Sequence, residues 1–357
     1  MSNKKIKILI CYHKKDKLYH NDIVIPIHCG RDVALEKSKD GTITKNDLSW
    51  LLENMIGDNT GDNISYLNKE LNELTAIYWA WKNYDKIGNP DYIGFMHYRR
   101  LFDFSKIVNG FCGWNKLSKL KITQENLNNI LDKYDLIINK STSLEKHGHC
   151  YSVFQTFLNL SDENYPILFN EYKESFFHKS MHANSMFIMK KEDFFQMCEN
   201  FIPLILSLIE QDRAKNIDKF IKYVKNNYSG NKLTKRINEY KNNKNLPRLY
   251  GFSSEYTISL YLFYLAKKYK NKTLESEMVK METFDILFKR FIKKLLKSIF
   301  SVSNENNRKY KVLTIMGIKF KFKTNKQPQT LVAVERERER ERVISLTAYK
   351  LKQTRAA

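Results

Sequence analysis

The sequence predicts a layered α/β domain that is followed by a basic amphipathic helix near the C-terminus. Through most of residues 6–269, short apolar segments typical of strands alternate with segments of helical periodicity. This alternation favours a mainly parallel sheet. With 357 residues, of which 42% are hydrophobic, the chain can bury a sizeable core.

The predicted strands are short and apolar. They cover residues 6–11, 22–28, 92–97, 135–139 and 185–189. In parallel sheets, ligands bind beyond the carboxyl ends of the strands. The polar residues that follow Cys11, His97, Asn139 and Met189 are therefore the first candidates for a site.

The predicted helices follow from the spacing of apolar residues. Leu67, Leu71, Leu74, Tyr78 and Trp81 recur at intervals of three and four, which predicts one continuous helix. Three further helices are predicted over residues 46–55, 123–134, where Thr123 is the N-cap, and 192–209. A last helix, capped by Ser253 or Ser254, is expected to end near Lys268.

The formal net charge is +22, and much of it lies near the C-terminus. Residues 280–330 contain 13 Lys and Arg against 3 Asp and Glu. Within residues 286–300, apolar side chains such as Phe291 share one helical face, and the opposite face carries Lys289, Arg290, Lys293, Lys294 and Lys297. This pattern predicts an in-plane helix on an anionic membrane surface. The alternative is a helix that packs on the domain and leaves its lysines in solvent.

Cysteine usage and the N-terminus predict a cytoplasmic protein, and the basic helix predicts that it is peripheral on the inner face of the cytoplasmic membrane. The five cysteines form no CxxC pair, and their odd number fits a reducing compartment. The N-terminal apolar run is too short for a signal peptide or a membrane span.

Residues 57–65, GDNTGDNIS, form the first candidate binding loop. Gly and Asn permit tight turns, and the side chains of Asp62 and Asn63 could hold hydroxyls or a ribose. The alternative is a loop that only caps the next helix through Ser65 or Asn68. On that helix, Glu73 could hydrogen-bond a sugar or simply be solvated.

Residues 94–102, GFMHYRRLF, carry the sharpest signal. A buried strand delivers His97, Arg99 and Arg100 to its carboxyl end, and adjacent arginines offer bidentate donors to phosphate oxygens. The alternative is a pair of structural salt bridges. His182 and Asn184 are expected on a loop that lines a cleft. No metal site is expected, because the HxHC cluster at residues 147–150 lacks a second ligand pair.

Several segments together resemble a family of bacterial glycosyltransferases from capsule and lipopolysaccharide gene clusters, the domain-of-unknown-function family 4422. They are CYHK at 11–14, IPIHCGR at 25–31, GDNTGDNIS at 57–65, NELTAIYWAWKN at 72–83, YIGFMHYRR at 92–100, HANSMFIMKKEDF at 182–194 and GFSSEYTISLYL at 251–262. The resemblance covers most of residues 6–269.

The resemblance implies a Rossmann-like nucleotide-diphospho-sugar transferase fold, GT-A-like, and a hexosyltransferase activity. The donor would be a nucleotide-diphosphate sugar, and the acceptor a lipid-linked, lipooligosaccharide or capsule saccharide. The donor-binding residues expected from the matching segments are His13, Asp62, Asn63, Glu73, His97, Arg99, Arg100, His182 and Asn184.

The chain departs from that fold's usual Asp-x-Asp metal motif, because the equivalent strand ends in His97-Tyr98-Arg99. A divalent metal is therefore not expected to be essential, and no cofactor is assigned. Arg99, assisted by Arg100 and His97, is expected to hold the donor diphosphate.

Glu255 is the expected catalytic base, since transfer needs a carboxylate that deprotonates the acceptor hydroxyl. Alternatively, Glu255 only favours the positive end of its helix. Two other classes remain open: a basic nucleic-acid-binding protein and a non-catalytic scaffold of polysaccharide assembly. No nucleic-acid motif is visible, so no nucleic-acid partner is expected.

The expected organisation has three parts. Residues 1–275 form the transferase domain, and residues 276–330 form the basic membrane-associating segment. Residues 331–357 hold four Glu-Arg repeats at 335–342 and a tail that is expected to have no fold of its own.

Overall fold

The structure is a computed structural model that divides into two compact units, Met1–Glu282 and Thr283–Ala357. In the first unit it describes residues 3–36, 43–105, 110–143, 180–210 and 249–282. In the second unit it describes residues 286, 292, 300–305, 310–315 and 318–323. The last strand of the first unit runs to Glu282, so this unit extends past the expected boundary at residue 275.

Among the described residues, nine strands form one mixed sheet. They are β1 (Ile6–Tyr12), β2 (Val24–His28), β3 (Ile56–Gly57), β4 (Tyr92–His97), β5 (Arg100–Asp103), β6 (Phe111–Gly113), β7 (Leu136–Asn139), β10 (Phe187–Lys190) and β11 (Thr273–Glu282). A separate strand pair is formed by β8 (Thr142–Ser143) and β9 (Ser180–Met181).

Most of the sheet is parallel, as the alternation of elements predicted. β1 pairs in parallel with β2 and β4, and β2 with β3. β10 runs antiparallel between β4 and β7, and β11 continues the sheet parallel to β7. The far half of β11 pairs antiparallel with β5 and parallel with β6.

Helices cover both faces of the sheet. They are α1 (Lys45–Asn54), α2 (Asn68–Leu71), α3 (Leu74–Lys82), α4 (Gln124–Leu131), α5 (Lys191–Glu210) and α6 (Leu249–Tyr269). α3, α5 and α6 pack with Leu9 and Phe95 on one face, whereas α1 and α4 pack with Ile8 and Met96 on the other. Because side chains alternate along a strand, His97 projects on the same face as Phe95, toward α3 and α6.

The prediction of one continuous helix from Leu67 to Trp81 is wrong, because the helix is interrupted at Asn72. That residue has φ 52° and ψ −130°, which ends α2 before α3 begins at Leu74. The apolar spacing is kept across the break, so periodicity alone did not reveal it. As a result Glu73 lies at the N-cap of α3 rather than within a helix.

The other helices agree with the predicted positions to within a few residues, but their caps do so only in part. The Thr123 hydroxyl accepts a hydrogen bond from Asn126 N at 3.3 Å, which confirms it as the N-cap of α4. Ser253 and Ser254 cap nothing, because they lie inside α6. Ser254 Oγ instead donates to Gly251 O at 2.8 Å.

The second unit contains a three-stranded antiparallel sheet of β12 (Phe300–Glu305), β13 (Tyr310–Ile315) and β14 (Ile318–Lys323). Within the predicted basic helix, the five basic residues and Phe291 lie outside the described residues, as do the Glu-Arg repeats and the tail. No helix in the described parts of the chain is both long enough and apolar enough to cross a membrane.

A buried carboxylate joins the loops at the carboxyl edge of β1, β2 and β3. Asp58 is fully buried, and its two oxygens accept four hydrogen bonds. The donors are Gly30 N at 2.7 Å, Arg31 N at 3.1 Å, Ser65 Oγ at 2.6 Å and Thr75 Oγ1 at 2.6 Å. Because Thr75 lies in the first turn of α3, this carboxylate fixes the start of that helix.

The two Gly-Asp-Asn units allow a matched test of this network. Asp58→Asn replaces an acceptor with an amide donor among four donors, and we expect a loss of at least about 2 kcal/mol in the free energy of unfolding. Asp62, the exposed counterpart, accepts one side-chain hydrogen bond, from Tyr78 OH at 2.8 Å, and Asp62→Asn should change stability by less than about 0.5 kcal/mol. Chemical denaturation of both variants measures the difference, and equal losses would contradict the assignment.

Candidate functional site

Polar side chains meet at the carboxyl edge of the sheet. Cys11 pairs with His97 and Tyr12 with His28, so β1, β2 and β4 end at the same level. The antiparallel strand β10 begins at this edge, which brings the preceding turn, Ala183–Ser185, beside the end of β4. Ligands bind at this edge in open α/β sheets.

Two carboxylates and an imidazole form the centre of the site. His97 Nε2 lies 2.7 Å from Asn184 O and 3.5 Å from Glu73 Oε1. A carbonyl oxygen can only accept, so His97 Nε2 carries the proton. Asn184 N donates in turn to Glu255 Oε1 on α6. We call Glu73, His97, Asn184 and Glu255 the acid-base cluster.

Close packing of α6 places Glu255 beside Glu73. Gly251 lies one turn before Glu255, and a Cβ added there would lie 2.0 Å from Asn72 Nδ2 and 2.9 Å from Glu70 O. Only a glycine therefore lets α6 approach the α2–α3 break this closely. The break presents Glu73, and the approach of α6 presents Glu255 to the same space.

The turn before β10 has an unusual backbone. Asn184 has φ 68° and Ser185 has φ 47°, two consecutive left-handed residues that are not glycine. Such residues cost about 1–3 kcal/mol each and persist only where the surroundings fix them. Asparagine tolerates this region better than most residues, because its short polar side chain can bond locally.

Buried hydrogen bonds hold this turn. His182 N donates to Ser259 Oγ on α6 at 2.8 Å, and His182 Nδ1 lies 2.6 Å from Asn139 O at the end of β7. Asn139 Nδ2 donates to Ala183 O at 3.0 Å. His182 is fully buried, so it holds the turn from the protein interior and does not line the surface of the site.

The electrostatics of the acid-base cluster favour proton exchange near neutral pH. Burial raises the pKa of Glu255 to about 7, and the Glu73 charge adds to this, whereas Asn184 N–H, His97 and Arg100 oppose it. Burial alone would lower the pKa of His97, but the Glu73 carboxylate outweighs it and the pKa is raised. His97 and Glu73 keep 16% and 22% of their side-chain surface exposed, so a ligand can reach them.

The two arginines predicted for the site, Arg99 and Arg100, lie in different surroundings. His97 pairs with Arg100 across a tight β4–β5 hairpin, so Tyr98 and Arg99 form its tip. Arg100 lies close enough to act on the pKa of both His97 and Glu255. Arg99 is exposed, its Nε lies 3.1 Å from Asp16 Oδ2, and its guanidinium stacks on the Tyr98 ring at 4.9 Å. The salt-bridge alternative therefore describes Arg99, and Arg100 accompanies the cluster.

The other predicted donor-binding residues lie around the acid-base cluster or in the binding loop. His13, exposed after β1, meets the Tyr98 ring edge-on at 5.1 Å between centroids. Asp62 accepts from Tyr78 OH, and Asn63 bonds within its own turn, where Nδ2 donates to Gly61 O at 3.0 Å. Neither Ser65 nor Asn68 caps a helix through its side chain, so the alternative that this loop only caps the next helix is wrong.

The alternatives to the acid-base cluster are a metal centre and a separate cavity. In the described parts of the chain, no group of three or more His, Cys, Asp or Glu is arranged to hold a metal ion. A cavity of about 690 Å³ lies between β11 and the end of α4 and includes Asp103, Lys140 and Ser276 in its lining. None of the predicted site residues lines it, so the acid-base cluster is the better candidate on chemical grounds.

Three contributors escaped the sequence analysis. The site residues predicted from the sequence do not include Asp58, Gly251 or Asn139. Gly251 offered a usable signal, since a glycine one turn before a polar residue in an apolar helix indicates a close approach. Asn139 offered a weaker one, as the polar last residue of a buried strand.

Comparisons with known proteins show the family and the fold. The profile of the family described as Domain of unknown function (DUF4422) matches residues 7–226. This is more than half of the chain, so the chain belongs to that family. No curated protein matches the sequence.

Among solved structures, the chain is similar to the apo structure of WbbM, a bifunctional glycosyltransferase, with a TM-score of 0.55 and 22% identity. The match covers 78% of this chain and 46% of the WbbM chain, so this chain spans about half the length of that protein. At this identity the similarity shows the fold alone, a mixed α/β fold resembling a glycosyltransferase structure.

The raised pKa of Glu255 predicts a pH-dependent cost in stability. The folded-state pKa of about 7 lies above that of an unfolded Glu, so the folded protein holds a proton that the unfolded chain releases. Stability is then lost as pH rises from about 4.5 to about 7. Glu255→Gln removes this loss. The free energy of unfolding of the variant, relative to that of the parent, should increase by about 1–3 kcal/mol from pH 5 to pH 8. Chemical denaturation at both pH values measures this change. A pH-independent difference would contradict the assigned environment.

Proposed function

We propose that this family member is a glycosyltransferase that moves a hexose from a nucleotide-diphosphate sugar to a lipid-linked, lipooligosaccharide or capsule acceptor. Family membership and the fold similarity support the reaction class. The observation that carries the proposal is the acid-base cluster at the carboxyl edge of β4. There Glu255, with a pKa of about 7, can accept a proton at neutral pH.

In the proposed reaction Glu255 is the general base. Its carboxylate takes the proton of the acceptor hydroxyl, whose oxygen then forms a bond to the anomeric carbon of the donor. The bond between that carbon and the diphosphate oxygen breaks, and the nucleoside diphosphate leaves with the electron pair. Burial, with the added effect of the Glu73 charge, keeps the Glu255 pKa high, and Glu73 stabilises His97 in its charged form.

The leaving diphosphate needs positive charge close to its oxygens. The protonated His97 and the neighbouring Arg100 supply it at the acid-base cluster, and Arg99 adds a cation at the hairpin tip, where the His13 ring contacts Tyr98. We propose that these cations hold the diphosphate and that a divalent metal is not essential. Arg100 replaces Arg99 as the chief residue in this proposal, because Asp16 already pairs with Arg99.

Donor binding and transfer are tested in one series. The purified chain is screened for thermal stabilisation by a panel of nucleotide sugars, because a ligand at 100 times its Kd stabilises by about 2.7 kcal/mol. With the stabilising donor, Glu255→Gln should keep the stabilisation but lower turnover at least about a hundredfold. Arg100→Ala should lower kcat/KM by about a hundredfold, or roughly 2–4 kcal/mol, and Arg99→Ala by less.

Glu199→Gln changes an exposed Glu on α5 and should leave turnover unchanged. If no nucleotide sugar stabilises the chain, or if Glu255→Gln is as active as the parent, the proposed activity is wrong. If EDTA abolishes transfer and Mn²⁺ restores it, the metal-independent part is wrong.

We also propose that residues 286–300 bind the enzyme to an anionic membrane surface. The support is the sequence pattern of an apolar stripe opposite five basic residues. Each Lys or Arg near such a surface contributes about 1 kcal/mol. A lipid-linked acceptor would be found at the same surface.

Exchanging Lys289, Arg290, Lys293, Lys294 and Lys297 for Gln tests the membrane proposal. The variant should be lost from vesicles that contain anionic lipid, because about 5 kcal/mol of electrostatic attraction is removed. Co-sedimentation with anionic and neutral vesicles at two salt concentrations measures this. Five exposed lysines of the first unit, Lys69, Lys82, Lys86, Lys133 and Lys267, changed in the same way provide the control. Equal loss in both variants would assign the binding to net charge.

A further inference from the structure

We infer that Asn184 is a positioning residue that acts through its backbone: its left-handed conformation aims its N–H at Glu255 and its carbonyl at His97. This inference rests on the proposed function, because it assigns Glu255 as the base. It replaces the sequence-based expectation that the Asn184 side chain binds the donor.

Both hydrogen bonds come from one residue. Asn184 N donates to Glu255 Oε1, and Asn184 O accepts from His97 Nε2 at 2.7 Å. The N–H and C=O belong to the two peptide groups that flank one Cα, so the φ and ψ of Asn184 decide whether they reach both partners. The values of 68° and 21° place them so. A right-handed residue would turn one group away from its partner.

The side chain of Asn184 does little by comparison. Its Nδ2 lies 3.6 Å from Met278 Sδ on β11, and sulfur is a weak acceptor. Asparagine suits this position because it adopts a left-handed conformation at low cost. Glycine shares that property, and alanine and β-branched residues lack it.

Contacts on both sides of Asn184 prevent the turn from changing its conformation to suit another residue. Ser185 follows in the same left-handed region and is buried, and Ala183 O accepts from Asn139 Nδ2 at 3.0 Å. His182 is held on both sides by Ser259 and Asn139. A residue that disfavours the left-handed region must therefore either distort the acid-base cluster or weaken the fold.

The Asn184 N–H also affects the pH dependence of transfer. Glu255 faces Glu73 before α3, His97 at the end of β4, Arg100 on β5 and the Asn184 N–H. A hydrogen bond to a carboxylate favours its ionised form. Moving the Asn184 N–H away removes a contact that lowers the Glu255 pKa, while burial and the Glu73 charge continue to raise it. The Glu255 pKa therefore rises. The acidic limb of the pH-rate profile then moves to higher pH.

Three substitutions separate the backbone from the side chain. Asn184→Gly removes the side chain and keeps access to the left-handed region, and we expect kcat to fall less than about fivefold with the pH limb retained. Asn184→Val should lower kcat about a hundredfold and move the limb upward by about one pH unit. Asn184→Ala should lie between them and serves if the Val variant does not fold, as judged by near-UV circular dichroism.

A readout without substrate keeps the inference separate from the proposed function. The protonation of Glu255 is followed by the infrared carboxyl band that is lost in Glu255→Gln. The midpoint should rise in the Val and Ala variants and stay in place in the Gly variant, whether or not transfer is detected. If Asn184→Gly shifts this midpoint as far as Asn184→Val, or if neither variant shifts it, the backbone role is wrong. A raised KM in Asn184→Gly with kcat retained would assign donor binding to the side chain instead.

Discussion

The buried carboxylate of Asp58 is the constraint on which the carboxyl edge depends. A carboxylate removed from water is costly unless its oxygens are fully hydrogen-bonded, and Asp58 meets this with four donors. These donors come from the loop after β2, the turn before α2 and the first turn of α3. One buried group thus fixes three segments at once. Through Thr75, two residues beyond Glu73, it sets where α3 begins and where the first carboxylate of the acid-base cluster lies.

The fold also brings the Glu255 carboxylate close to that of Glu73, although two negative charges repel each other. Glu73 and Glu255 share a partly buried space, and like charges there disfavour ionisation of one of them. The fold tolerates this because Gly251 and the break at Asn72 let α6 pack closely against α2 and the α2–α3 break, while α3 and α6 both contribute to one apolar core cluster. The charge of His97 acts on both carboxylates and offsets part of the repulsion. Perturbed groups of this kind concentrate at functional sites, where a proton must be held loosely near neutral pH.

The hairpin after β4 divides two adjacent arginines between two tasks. Because His97 and Arg100 are paired, they share a face of the sheet, and the intervening Tyr98 and Arg99 form the tip. Arg99 packs on Tyr98 and pairs with Asp16 at the tip. Arg100 contributes its charge to the acid-base cluster. Strand pairing thus separates two adjacent arginines into one that pairs with Asp16 and one whose charge acts on His97 and Glu255.

Local patterns in the sequence were sufficient for the strands β1, β4, β7 and β10, for α5, and for the Thr123 cap, because each depends on residues within one turn or one strand. The family was also readable, since its motifs are local. The site was predicted only as a set of residue types. Asp58 and Asp62 occur in identical Gly-Asp-Asn units, yet one is buried and the other exposed. The break at Asn72, the left-handed turn at Asn184 and the pairing of Glu255 with Glu73 are decided by contacts between distant segments, whose energies no local spacing records.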